Sequence, residues 1–321
     1  MKAMKNTMKC FIAVFVMAMA FVMTGITVEA IGVTQVAQDK TSVTINWEPD
    51  SDATEYYVGY GADYSAARAM AEAKTITLPA TTTSYTISGL SPATNYKVYV
   101  YYSYAGYSGK VYTSSLGSQT IVTLPTKVTG LNQTKWWYYI ENVDFAWNEQ
   151  PAANYEVKIM NHKGRVLKKL ETYGNQSGYD DVKNNQTYQA QVRAYVEING
   201  QKCYGDWSDK AYLFTQPMVT KSSVKNGKLT IKWGKITGVN SYDVYVSTKE
   251  KKGYKKVKSL KASKTSLTVA KLKGKKFSSS KKYYVYIVAK KKVGKKTYTS
   301  GRHYTCTVKG SSSPSVNWTF D

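Results

Sequence analysis

Residues able to carry chemistry are scarce in this chain of 321 residues, which has 3 cysteines, 2 histidines and 7 prolines. His162 and His303 stand far apart, and there is no glycine-rich phosphate loop, nucleophile elbow or metal-binding pair at helical or hairpin spacing. Catalysis needs tunable protons or a metal held convergently, so neither an enzyme nor a cofactor is expected. Glu48, Asp50 and Asp52 crowd one segment. Without a glycine turn or further oxygen ligands they read as a solvated acidic loop rather than a calcium site. Asp180 and Asp181 are adjacent and would point to opposite faces of a strand. Cys10 belongs to the leader described next, while Cys203 and Cys306 fall in different repeats. No stapling disulfide within a domain is therefore expected, and each domain must hold by its own core.

Long apolar runs are also missing, with one exception. Lys2, Lys5 and Lys9 precede an apolar stretch from Cys10 to Met23, followed by Val28-Glu29-Ala30. That order of positive, apolar and small residues predicts a secretory signal over residues 1–30. No later run is long enough to span a membrane, so the expected location is extracellular. Acidic side chains are nearly absent from one region. Residues 217–309 carry 26 basic and 2 acidic residues, whereas 31–124 carry 5 and 7, and 125–216 carry 11 and 10. The net charge of +24 is thus a local property, and it needs a local cause.

What the chain has instead is repetition. Ser88-Gly89-Leu90-Ser91-Pro92-Ala93-Thr94-Asn95-Tyr96 leads from a leucine through a corner to a tyrosine that opens an alternating strand. The phrase recurs from Val182 to Tyr188 and from Leu272 to Tyr283. Each repeat has an early alternating strand ending in tryptophan, at Trp47, Trp147 and Trp233, and a second strand some nine residues later carrying Tyr56, Tyr155 or Tyr242. Period-two alternation, regular turn signals and scarce helical periodicity predict all-β sandwiches. Ala66–Ala73 reads as a short helical turn within a loop. Boundaries fall at 31–124, 125–216 and 217–309, with Leu124-Pro125 and Gln216-Pro217 as short, stiff junctions that predict a rod. The Ser-rich tail 310–321 reads as disordered, with docking of Trp318 and Phe320 as the alternative.

A tryptophan on the second strand, a tyrosine corner before the sixth and no bridging cysteines together resemble fibronectin type III domains. The resemblance implies three tandem seven-stranded immunoglobulin-like sandwiches in a secreted, bacterial type of protein. It also implies core roles for the tryptophans and corner tyrosines, with the corner hydroxyl bonded to backbone. Domains of this family serve in adhesion and in cell signalling.

Two features point to partners. Lys249, Lys251, Lys252, Lys255 and Lys256 fall in the loop after the third strand of the last repeat. Lys271, Lys273, Lys275, Lys276, Lys281 and Lys282 fall in its corner loop. Alternating strand direction predicts that both loops share the free end of the rod, with Lys290, Lys291, Lys292, Lys295 and Lys296 along the last hairpin or at the other end. So dense a charge repels itself, which points to an anionic cell-wall polymer or a glycosaminoglycan. The plain alternative is a solvated face that aids solubility. With Arg302 the single arginine of that repeat, base-specific reading of nucleic acid is not expected. The second feature is aromatic. Trp136 and Trp137, within Trp136-Trp137-Tyr138-Tyr139, are expected at a junction between repeats. Tyr57, Tyr99 and Tyr101, like Tyr245, Tyr284 and Tyr286, alternate with the buried set and so face outward. They either stabilise the sheet through cross-strand pairs or meet a host surface protein or glycan. The expected function is non-catalytic binding at a cell surface. The alternatives are a soluble ligand for a host receptor and a structural spacer.

Overall fold

The computed structural model describes residues 32–134, 143–183 and 185–318. The segment 1–30 expected as a secretory signal and the aromatic run that includes Trp136 and Trp137 lie outside the described residues. The fold is all-β, built from paired antiparallel sheets, and it groups into two compact units. One unit comprises Met1–Val128, Glu149–Glu156 and Arg193–Trp207; the other comprises Thr129–Asn148, Val157–Val192 and Ser208–Asp321.

In the first unit, Val33–Gln38, Ser42–Trp47 and Ser84–Ser88 form a three-stranded sheet. A four-stranded sheet runs in the order Thr77–Pro79, Ala53–Gly61, Asn95–Ala105, Val111–Val122. The alternating residues of both converge on one core of Val43, Ile45, Trp47, Tyr56, Val58, Ile87, Val98, Val100 and Ile121. At period two, one face of each strand supplies that core. A second cluster joins Val122 and Leu124 to Val196, Ile198 and Cys203, and Ala152 N–H donates to Ala93 C=O at 2.8 Å.

In the second unit, Val219–Lys225, Lys228–Trp233 and Ser266–Val269 form one sheet of the lysine-rich repeat. The facing sheet runs Lys255–Lys261, Ser241–Ser247, Tyr283–Val293, Tyr304–Val308, Ser315–Trp318, with Lys296–Thr299 also paired to Tyr283–Val293. Their core includes Leu229, Ile231, Trp233, Tyr242, Val244, Val285, Ile287, Tyr304 and the free thiol Cys306. Burial pushes the Cys306 thiol up to about 11, so it stays protonated and inert at neutral pH. The middle repeat contributes a three-stranded sheet ordered Gln176–Tyr179, Val143–Ala146, Asn132–Gln133.

The corner prediction holds in every repeat. The N–H groups of Ser91, Lys183 and Ser278 donate to the hydroxyls of Tyr96, Tyr188 and Tyr283 at 2.8, 2.8 and 2.9 Å. A second lock was not anticipated. The N–H groups of Asp50, Gln150 and Ile236 donate to Tyr56, Tyr155 and Tyr242, each at 2.7 Å. Each repeat therefore ties two loops to its core through phenol oxygens, worth about 1 kcal/mol apiece.

Two expectations need correction. Ser315–Trp318 is an edge strand paired to Tyr304–Val308 with Tyr304 opposite Trp318, although serine-rich composition predicted disorder throughout the tail. The exposed edge of Tyr304–Val308 offered unpaired backbone groups, which a short extended segment satisfies. The alanine-rich stretch forms more than a turn. It is a two-turn helix, Tyr64–Glu72, with Asp63 as N-cap accepting from Ala66 N–H at 2.8 Å.

Candidate functional site

That helix decides the fate of the first tyrosine face. Ala67 and Ala71 are fully buried against Gly59 of the strand Ala53–Gly61. A Cβ on Gly59 would sit 2.0 Å from Ala67 C=O and 2.4 Å from Ala71 N, so only glycine lets the helix lie on the strand. Tyr57 points away from the sandwich core as alternation requires, yet it is 2% exposed. Its hydroxyl donates to Glu55 Oε2 at 2.7 Å and accepts from Lys74 Nζ at 3.0 Å, and that ammonium lies 4.4 Å from the ring centre. Tyr57 is therefore not a surface for partners. Tyr99 and Tyr101 are half-buried, their rings 5.8 Å apart, with Tyr64 of the helix edge-on to Tyr99 at 5.7 Å.

The open aromatic surface of this repeat lies elsewhere. The hairpin Asn95–Ala105/Val111–Val122 carries Tyr104 stacked on Tyr112 at 5.8 Å, Lys110 over Tyr112 at 5.7 Å, and a fully exposed Tyr107 at its tip. Val111 is exposed as well. The long run of tyrosines from Tyr99 to Tyr107 was visible in the sequence, but strand lengths were not.

The acidic loop of the first repeat has a structural occupation. Asp50 Oδ1 accepts from Asp52 N–H at 2.9 Å while Asp50 N–H binds Tyr56. In the middle repeat, the positions that alternate with the core set are largely covered. Glu156 and Gln189 are buried. Arg193 Nε donates to Glu156 at 2.6 Å, and its guanidinium lies 3.7 Å from the Tyr204 ring centre and 4.7 Å from that of Trp207.

The third repeat differs. All eleven lysines of its two predicted loops are exposed. The register places them together. Ser247 pairs with Tyr284, so the turn holding Lys249, Lys251 and Lys252 lies beside the start of the next strand, where Lys281 and Lys282 sit. Lys255 and Lys256 pair with Val246 and Tyr245 at the same end. The hairpin Lys271–Leu272/Lys275–Lys276 joins them through Phe277, whose N–H donates to Gly227 C=O at 3.0 Å and whose ring meets Tyr283 at 4.8 Å. The opposite pole is cationic too. Ser241 pairs with Lys290 and Lys261, and Lys292, Lys295 and Lys296 are exposed there. Lysine therefore gathers at both poles and is denser at the predicted one.

The turn at the lysine-rich hairpin has φ of 49° at Lys273 and 80° at Gly274. Two successive residues at positive φ mark a turn that favours Asn-Gly, which this repeat uses at Asn226-Gly227, with φ of 51° and 73°. A lysine in that conformation costs roughly 1–2 kcal/mol, so its ammonium is kept at the tip against a backbone preference.

Of the two acidic groups in this repeat, Asp243 is 4% exposed. Ser259 Oγ donates to it at 2.6 Å and Lys290 Nζ at 3.0 Å, while Lys256 Nζ stands at 3.7 Å. Burial works to raise the carboxyl, but Ser259 and the two ammoniums outweigh it and hold it below its usual range. Lys256 thus serves the fold in part, a role its position in the sequence did not reveal. Beside these groups lie half-buried tyrosines. Tyr245 stacks on Tyr286 at 4.6 Å with ring planes 10° apart, and Tyr254 meets Tyr286 edge-on at 4.9 Å. The Arg302 guanidinium lies 5.3 Å from the Tyr254 ring centre and 5.6 Å from that of Tyr286. Burial and the neighbouring Tyr245 push the Tyr286 hydroxyl up to about 12, so it is uncharged at neutral pH.

No curated protein matches this chain. Among solved structures, it is similar to the crystal structure of chicken CNTN1 FN1-FN3 domains at 12% identity and a TM-score of 0.31, covering 88% of this chain and 98% of that one. The family model of the fibronectin type III domain matches residues 28–116, so the first repeat of this all-β chain carries a fibronectin type III domain.

Proposed function

We propose that this is a secreted, non-catalytic binding protein of three modules, 31–124, 125–216 and 217–309, whose lysine-rich third module holds anionic polymers at a cell surface. The observation that carries this reading is the gathering of eleven exposed lysines at one pole of a repeat whose more buried carboxylate, Asp243, is already neutralised by Lys290 and Lys256. Internal compensation is thus largely exhausted, and the remaining positive charge is available to an external polyanion. Lysine suits this task because its ammonium is a point charge that binds phosphate, sulfate or carboxylate without demanding a paired geometry. The retention of Lys273 in a left-handed turn supports the same reading.

Such binding is dominated by exposed charges that act over about 8–10 Å at physiological ionic strength. The test is retention of the secreted chain on the producing cells through a salt gradient, beside a variant with Lys271, Lys273, Lys275 and Lys276 changed to Glu. We expect the parent chain to elute as salt rises and the variant to stay in the medium. Equal retention of both, indifferent to salt, would refute the electrostatic reading.

A second surface serves a protein partner in this scheme. The hairpin tip with Tyr107, Val111 and Tyr112 is exposed and apolar, which favours a receptor-type contact on the first module over the covered Tyr57 face. Replacing Tyr107 and Tyr112 with Ser should abolish saturable binding to responsive cells and leave polyanion retention unchanged. Unchanged cell binding would count against a contact there.

A further inference from the structure

The first and last strands of the first repeat belong to different sheets, and one side chain joins them. Gln35 occupies a core-facing position two residues after Val33, where alternation calls for an apolar residue, and it is 3% exposed. Its amide meets Val122 as a neighbouring strand would. Nε2 donates to Val122 C=O and Oε1 accepts from Val122 N–H, both at 2.9 Å. The pairing register shifts directly after Gln35, and such a bulge re-aims a side chain. The middle repeat has the same arrangement. Gln133 Nε2 donates to Phe214 C=O and Oε1 accepts from Phe214 N–H, again at 2.9 Å. Gln35 and Gln133 are equivalent, since they pair with Ile45 and Phe145, each two residues before its tryptophan.

The third repeat departs from this pattern. Ser222 stands opposite Ile231, the corresponding position, and its buried hydroxyl has no hydrogen-bond partner. Gln216, from the segment that leads into the repeat, takes over. Its Nε2 donates to Tyr304 C=O at 2.9 Å, and its Oε1 accepts from the N–H groups of Tyr304 at 3.0 Å and His303 at 2.7 Å. One residue type thus ties the beginning of each repeat to its last strand, from two different starting points. Glutamine suits the task because its side-chain amide carries both the donor and the acceptor of a peptide group.

We propose that Gln35, Gln133 and Gln216 are latches that set how long each repeat stays closed. The joined residues lie 87, 81 and 88 positions apart, so each latch spans nearly a whole repeat. Contacts of such separation form only after the loop between them has closed. Interactions absent from the folding transition state act on unfolding rather than on folding. The latches therefore slow opening and leave folding unhurried by them. Cys203 and Cys306 are free, so within the described residues the amides hold ends that no disulfide holds. This inference does not depend on which ligand either end of the chain takes.

The test is hydrogen exchange on the full chain, read by mass spectrometry so that each repeat reports its own opening. Gln35→Met keeps the length of the side chain and strands both polar groups of Val122. It should speed exchange in the strand Val33–Gln38 about tenfold and leave residues 217–309 as in the parent. Gln216→Met should do the reverse. Gln133→Glu still accepts from Phe214 N–H but sets a carboxylate against Phe214 C=O, so its repeat should open at least as fast as with Gln133→Met. Refolding from urea, followed by pulsed exchange in the same segments, should stay within about twofold of the parent for the methionine variants. Gln35→Asn, whose amide falls one methylene short of Val122, is read in place of Gln35→Met if that variant does not fold. Parent-like exchange in these variants would overturn the proposal. So would a loss that appears in refolding rather than in opening, because a contact that merely helps to build the repeat behaves that way.

Discussion

The first and third repeats both carry tyrosines on the outward face of the sheet that holds the corner strand, yet the first buries Tyr57 whereas the third leaves Tyr245, Tyr284 and Tyr286 partly exposed. In the first, Gly59 admits the helix Tyr64–Glu72, and Tyr57 disappears beneath the surrounding hydrogen bonds. In the third, the equivalent strand carries Tyr245, and the segment after it is a lysine-rich turn rather than a helix. Outward orientation follows from pleat geometry. Exposure depends on what the neighbouring loop does, and a single missing Cβ is enough to reverse it.

The sharpest way to break this comparison is to close the space at Gly59. Gly59→Val should expel the helix and cost about 3 kcal/mol by overpacking, read as a lower urea midpoint. An unchanged midpoint would show that the helix does not depend on this contact. Smaller is the effect of stripping a phenol lock from the third repeat. Tyr242→Phe leaves the buried Ile236 N–H without its acceptor and should cost about 1–2 kcal/mol, measured the same way against Tyr283→Phe. A loss no greater than for an exposed tyrosine would remove the lock from the account.

Lys273→Gly sharpens the contrast between charge and backbone. Relieving the left-handed lysine should stabilise the third repeat by about 1 kcal/mol, while retention on polyphosphate or heparin falls. Stabilisation with unaltered retention would mean that this ammonium has no ligand. The smallest effect concerns pH. A carboxyl held below its unfolded value binds fewer protons in the folded chain, so its contribution is complete above the unfolded value near 3.8 and fades as pH falls through the lower folded one. Asp243→Asn should therefore flatten the acid limb of stability below about pH 4 and leave alkaline stability untouched. An identical acid limb in both proteins would contradict the pairing with Lys290.

Several of these features are legible in the sequence alone. The tryptophans, the three corner tyrosines and the crowding of eleven lysines into two segments follow from spacing alone, because strand period and turn chemistry are local, although Lys255 and Lys256 lie on the strand Lys255–Lys261 rather than in the loop expected for them. The second set of phenol locks was hidden, since Tyr56, Tyr155 and Tyr242 read as ordinary core residues. Their hydrogen bonds reach back across a loop whose path spacing does not specify. The Gly59–Ala67–Ala71 contact did leave a trace, in Gly59-x-Gly61 followed by Asp63 and an alanine-rich stretch, but its meaning depends on two segments meeting. The tail follows the same rule. Its composition favours disorder, and only the unpaired edge of Tyr304–Val308 gives Ser315–Trp318 somewhere to bind.

By itself the sequence determined the all-β repeats, the residues that fill their cores and the confinement of positive charge to residues 217–309. Those properties depend on alternation and on counts within a segment. Tertiary structure decided which tyrosines remain accessible, that Lys256 and Lys290 are partly engaged by Asp243, and that the surviving lysines adjoin an aromatic cluster with Arg302 over it. Each of these depends on distances between segments far apart in the chain, and such distances exist only after strands have paired and loops have been laid over them.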